Sequence, residues 1–150
     1  MALLLYFHLL LQFLLLHSVP QEQEYAFYFD QPFTLQQSGS VTLWDTTSEV
    51  ADRLLLSMDQ IVDSRCPEDV RCIHAGSAEL KMTFRSVTGE STAVTVAIDG
   101  NAYVKPESVQ GDKFILAGKS YAVRVLTVAP YPIAEIIQPP KYARLLVVKL

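Results

Sequence analysis

Histidine is scarce in this chain. Of three histidines, His8 and His17 lie in an apolar leader, so His74 alone serves the remainder. That shortage excludes much chemistry. A Ser–His or Cys–His pair needs its histidine base within hydrogen-bond reach, and His74 stands two residues from a cysteine expected to be bridged. A strand residue beside a loop is its simpler role. No Gly-x-Ser-x-Gly elbow is present. Tetrahedral zinc draws on histidine and thiolate; a bridge removes both thiolates and leaves zinc or copper only His74 with Asp63 or Glu68. No catalytic residue, metal or cofactor is therefore expected.

Basic runs are missing as well. The net charge is −4, and residues 1–18 contribute nothing to it. An acidic domain without a basic stripe is poorly suited to nucleic acid, where phosphate neutralisation supplies most of the affinity. It is equally poorly suited to an anionic membrane surface. Repeats, low-complexity tracts and a linker long enough to divide the chain are absent too, which leaves one domain.

What is present begins with Met1 to Leu16, a leucine-rich run without a charged side chain. It falls short of the roughly 20 apolar residues of a membrane-crossing helix and fits the core of a secretory signal. No Lys or Arg precedes the run and no small-x-small triplet closes it, yet cleavage after Ser18 is the best match. An uncleaved anchor is the alternative, and the only route to a membrane. Either way the remainder is expected outside the cytoplasm, periplasmic or secreted. Residues 19–30 then form a flexible leader and first strand, and residues 31–150 a β domain.

The β assignment rests on alternation. Phe33 and Leu35, then Val41 and Leu43, alternate with polar neighbours around a turn at Gln37-Ser38-Gly39. Ala78, Leu80, Met82 and Phe84 alternate strictly with Ser77, Glu79, Lys81, Thr83 and Arg85, the pattern of a strand with one wet face. Val94, Val96 and Ile98 continue it up to Asp99-Gly100, a two-residue hairpin signal. Tyr121, Val123 and Val125 follow a turn at Gly118-Lys119. Tyr142 to Leu150 is apolar on both faces, which predicts a central strand with Tyr142 in the core. Leu54, Leu56 and Met58 also alternate, although Thr46 and Glu49 have capping-box spacing that allows a short helix over Ser48–Arg53. The fold class is all-β: a single antiparallel sandwich or barrel-like domain, with at most one short helix.

The informative segment is Asp63-Ser64-Arg65-Cys66-Pro67-Glu68-Asp69-Val70-Arg71-Cys72-Ile73-His74-Ala75-Gly76. Two cysteines in an exported chain are expected to pair. Cys66 and Cys72 close so short a loop that the chain-entropy model gives roughly 2.4 kcal/mol, so the bridge shapes a loop more than it holds a domain. Pro67 restrains its own φ and disfavours the α region at Cys66.

Asp63-Ser64-Arg65-Cys66-Pro67, a four-residue gap, then Cys72-x-x-Ala75-Gly76 resembles the hallmark of a widespread family of small exported bacterial proteins, many of them lipoproteins. Tyr121 leading a strand that ends in Pro130-Tyr131-Pro132, and a closing strand opening at Tyr142-Ala143, belong to the same likeness, which spans Phe33 to Leu150. Two positions depart. The family often carries Trp where this chain has His74, and no lipobox cysteine follows the apolar run, which argues against a lipid anchor. The resemblance implies an exported bacterial β domain and no particular activity.

Candidate contact residues are Arg65 and His74 in the loop, and Tyr131, whose flanking prolines keep the segment extended and leave its ring few ways to tuck in. Trp44, Tyr103 and Tyr142 are lesser aromatic candidates for a sugar or protein surface. The expected function is a non-enzymatic binding or cell-envelope accessory module with a disulfide-fixed loop, its partner a protein or glycan. The alternative is a small extracytoplasmic redox protein using Cys66 and Cys72, or a hydrolase using the loop carboxylates. For redox work the C-x5-C spacing departs from C-x-x-C and no βαβ pattern surrounds it.

Overall fold

A computed structural model describes residues 26–46, 53–100, 111–134 and 137–150. The apolar leader, Tyr103 and most of the Ser48–Arg53 segment lie outside these. Arg53 itself opens a strand.

Among the described residues nine strands follow in chain order: β1 (Phe27–Tyr28), β2 (Phe33–Gln36), β3 (Ser40–Trp44), β4 (Arg53–Asp63), β5 (Ser77–Ser86), β6 (Ser91–Asp99), β7 (Gly111–Leu116), β8 (Lys119–Ala129) and β9 (Tyr142–Lys149). They make two sheets, β1-β3-β4-β5-β6 and β2-β9-β8-β7. All pairings are antiparallel except the short β1–β3 contact. This is an all-β sandwich, and no helix occurs among the described residues.

Alternation decides the interior. Leu54, Leu56, Met58, Leu80, Met82, Phe84, Val94, Val96 and Ile98 turn inward from the first sheet, and Phe33, Leu35, Phe114, Tyr121, Val123, Val125, Leu145 and Val147 from the second, forming one core. Each large apolar side chain so buried is worth about 1.5–3 kcal/mol. Phe84 and Phe114 join the layers, their ring centroids 4.3 Å apart. Doubly apolar β9 lies between β2 and β8, the central place its sequence predicts.

Two bulges reset the alternation. In β4 the register shifts between Met58 and Gln60, so burial passes from Leu54, Leu56 and Met58 to Ile61. In β8 it shifts between Val125 and Thr127, and burial passes from Tyr121, Val123 and Val125 to Val128. One extra residue exchanges the faces of everything after it. Asp63, two residues past Ile61, is thereby turned onto the core side. The turn at Gln37-Ser38-Gly39 carries the chain from one sheet to the other and docks at the first bulge. There the Ser38 N–H donates to the Met58 carbonyl at 2.8 Å and the Met58 N–H to the Gly39 carbonyl at 2.9 Å.

Two expectations need correcting. Asp99-Gly100 closes no hairpin between β6 and β7, which lie in different sheets. Gly100 serves close packing instead: its N–H donates to the Gly76 carbonyl at 2.8 Å, and a Cβ there would stand 2.0 Å from the Ala75 carbonyl oxygen. Tyr142 is not in the core but 42% exposed; its neighbours Ala143 and Leu145 take the inward positions.

Candidate functional site

The segment from Asp63 to Gly76 caps one end of the sandwich, between the last residue of β4 and the first of β5. Its base is an ion cluster. Arg65 is 4% exposed, and its guanidinium grips Asp63 with both arms, Nε to Oδ1 and NH2 to Oδ2, each at 2.7 Å. The same NH2 donates to the Val128 carbonyl at 3.1 Å. Lys141 Nζ donates to Asp63 Oδ2 at 2.9 Å and to the Pro130 carbonyl at 2.7 Å. Planar bidentate geometry makes such contacts strong. Residues from β4, the loop, the end of β8 and the approach to β9 are thus tied together, so the cluster joins the two sheets.

Asp63 stays ionised there. Burial pushes its carboxyl up, but hydrogen bonds from Arg65 and Lys141 outweigh that and hold it below the usual carboxylate range. Tyr131 completes the cluster. Its ring lies over Arg65, 4.3 Å from guanidinium carbon to centroid, and its hydroxyl donates to the Gly100 carbonyl at 3.1 Å. The peptide bond from Ala129 to Pro130 is cis. The Tyr131 ring is not held out between its flanking prolines but lies on Arg65.

Above this base the loop is bolted down by its backbone. Cys66 N–H donates to the Ala75 carbonyl and Ser64 N–H to the Ser77 carbonyl, both at 2.8 Å. Gly76, at φ +71°, passes so close to Ser64 that a Cβ would meet its carbonyl oxygen at 1.9 Å, which explains the glycine. Glu68 N–H donates to the Pro132 carbonyl at 3.1 Å, and Asp69 Oδ1 accepts from the Ala134 N–H at 2.8 Å. Cys66 and Cys72 form a disulfide with Cα atoms 5.9 Å apart. Such a bridge fits an oxidising compartment.

The candidates therefore divide. Arg65 and Tyr131 are brought together, but facing inward, Arg65 as the partner of Asp63 and Tyr131 stacked on Arg65. His74 is exposed and lies on the loop's outer side. Of the carboxylates, Asp63 is committed to its cations, Asp69 to the Ala134 amide, and Asp59 accepts from the Thr83 hydroxyl at 2.7 Å on the strand surface. The loop presents charged and apolar side chains together: Glu68, Asp69, Arg71 and His74 are exposed, Val70 is 44% and Ile73 96% exposed, and Ile133 and Ile137, in the connection before β9, are 36% and 97% exposed. Lys141 and the Val128 carbonyl escape sequence reading, because nothing local marks residues 78 and 63 positions away as partners.

At the opposite end, a cleft of about 300 Å³ opens beside Trp44, Asp45 and Lys149. Trp44 is half-buried beneath the Arg53 guanidinium, 5.4 Å from its ring centroid, and its indole N–H has no hydrogen-bond partner among the described residues. Compared with family models, with curated proteins and with solved structures, the chain matches none.

Proposed function

We propose that this chain is an exported, non-enzymatic binding module of the cell envelope that meets its partner through the outer side of the bridged loop. The observation carrying this reading is Ile73, 96% exposed on a segment whose two ends are fixed by a disulfide, a buried ion cluster and backbone hydrogen bonds. A protruding apolar side chain on a preorganised loop contributes burial to an interface while losing little conformational entropy. Isoleucine offers no hydrogen bond, so a protein groove suits it better than a glycan. Export is supported by the apolar leader and by the bridge.

The test is capture from an envelope extract with three baits: wild type, Ile73→Asp, and Val87→Asp, an exposed site in the β5–β6 turn at the far end. A partner held by wild type and Val87→Asp but released by Ile73→Asp is the expected result. A partner held equally by all three would place the interface elsewhere.

Exposure of Cys72 favours a second reading, a redox protein cycling the Cys66–Cys72 bridge. Titration with a mild thiol reductant separates the two: a binding module keeps its bridge, whereas a redox couple yields two thiols at a potential near that of the glutathione pool.

A further inference from the structure

Every open-edged sheet must manage its unpaired backbone groups, commonly with short strands, charge, proline or bulges. β1 has two residues and β2 four, while β7 carries Asp112 and Lys113. β6 is different. It is nine residues long, pairs with β5 without a register shift, and has no charged side chain or proline from Ser91 to Ile98.

Its hydrogen-bond phase is fixed by the ends of the ladder. Ser86 N–H donates to the Glu90 carbonyl at 2.9 Å, and Gly100 N–H to the Gly76 carbonyl at 2.8 Å. Bonded pairs recur at every second residue of an antiparallel ladder. Thr92, Val94, Val96 and Ile98 therefore bond to β5, and Ala93, Thr95 and Ala97 direct N–H and C=O away from the sheet, where no strand among the described residues pairs with them. The side chains of these three are small and exposed.

The sequence along this edge is its own mirror: Ala93-Val94-Thr95-Val96-Ala97 reads identically in both directions. We infer that β6 pairs antiparallel with β6 of a second copy about a two-fold axis at Thr95, joining two five-stranded sheets into one. Ala93 then faces Ala97 of the other copy, Thr95 faces Thr95, and Val94 stands beside Val96 on the core side. Each of the three outward pairs exchanges two backbone hydrogen bonds, and Thr–Thr pairs across strands are favourable. Charge does not oppose the pairing. Lys81 lies opposite Thr95 on β5, so the two Lys81 residues are three strand spacings apart, about 14 Å, beyond the screening length of about 8 Å. The isologous contact closes on itself.

Sedimentation equilibrium on the full chain tests this. Wild type is expected at twice the monomer mass at high concentration, and Thr95→Lys and Ala93→Pro at monomer mass. At concentrations low enough for wild type to be monomeric, both variants should melt as wild type does, because the Ala93 N–H takes no part in the intramolecular ladder and an edge strand tolerates proline there. Register is read by cysteine. The described residues contain no free cysteine, and a bonded pair has Cα atoms about 5.5 Å apart, within disulfide range. Under mild oxidation Thr95→Cys should link to itself. Ala93→Cys alone should not, yet should link to Ala97→Cys when the two are mixed. Monomer mass for wild type throughout overturns the inference. So does a dimer that persists in folded Thr95→Lys and Ala93→Pro, or equal cross-linking of Thr95→Cys and Ala93→Cys alone.

Discussion

Arg65 is the residue whose removal or isolation matters most at the bridged end. A guanidinium this buried is tolerated only because Asp63, the Val128 carbonyl and the Tyr131 ring surround it. Asp63→Ala would leave the cation without its counter-charge, and truncating one member of a buried pair costs about 3–5 kcal/mol; urea unfolding at neutral pH measures it. The pH dependence has a definite sign. The folded Asp63 pKa is lowered, so its stabilising contribution is complete above the unfolded carboxyl value, about 4. It is lost as pH falls through the folded value. Wild-type stability should therefore decline below about pH 4 more steeply than that of Asp63→Asn, whose amide does not titrate. Parallel declines would mean that other carboxylates dominate acid unfolding.

At the scale of elements, β5 offers the cleanest contrast. Leu80 is fully buried and Lys81 exposed on the next position. Leu80→Ala should cost about 2–5 kcal/mol, and Lys81→Ala should stay within roughly 0.5 kcal/mol of wild type; similar costs would mean the strand's faces are misassigned. That strand was fully legible, since period-2 alternation is all a half-buried strand needs. The bulges were not. Asp59 and Leu126 look like ordinary strand residues, and only the docking of the 37–39 corner on Met58 shows why β4 changes face there. The same holds for the candidate site. The pairing of Cys66 with Cys72 follows from cysteine count and the expected export, whereas the inward turn of Arg65 depends on a bulge and a distant carbonyl. Replacing both cysteines by serine should accordingly cost no more than about 2–3 kcal/mol, because backbone bonds at Cys66, Ser64 and Glu68 also hold the loop. Global unfolding of the double variant would show that the bridge supports the domain itself.

For the whole molecule the question is whether two sheets make one cooperative unit. Three connections say that they do. The cores merge through Phe84 and Phe114, the 37–39 corner is bonded into the β4 bulge, and Arg65 and Lys141 tie Asp63 at the end of β4 to carbonyls at the end of β8. Neither sheet has an apolar face that water could cover without losing most of its burial. Thermal unfolding should therefore be a single transition reported identically by different probes. Trp44, the chain's one tryptophan, reports on the first sheet, and far-ultraviolet circular dichroism on both. Coincident midpoints are expected; a tryptophan midpoint offset from the circular dichroism midpoint would show that the sheets melt separately. The same scan after exhaustive chelation should superimpose on the first. A metal bound only to the folded state would raise stability by RT ln(1 + [L]/Kd), and its groups of choice are already engaged, the thiolates in the bridge and Asp63 with two cations. A midpoint that falls on chelation and returns with zinc, copper or calcium would overturn this. Repeating it on His74→Ala would then show whether that exposed imidazole is a ligand.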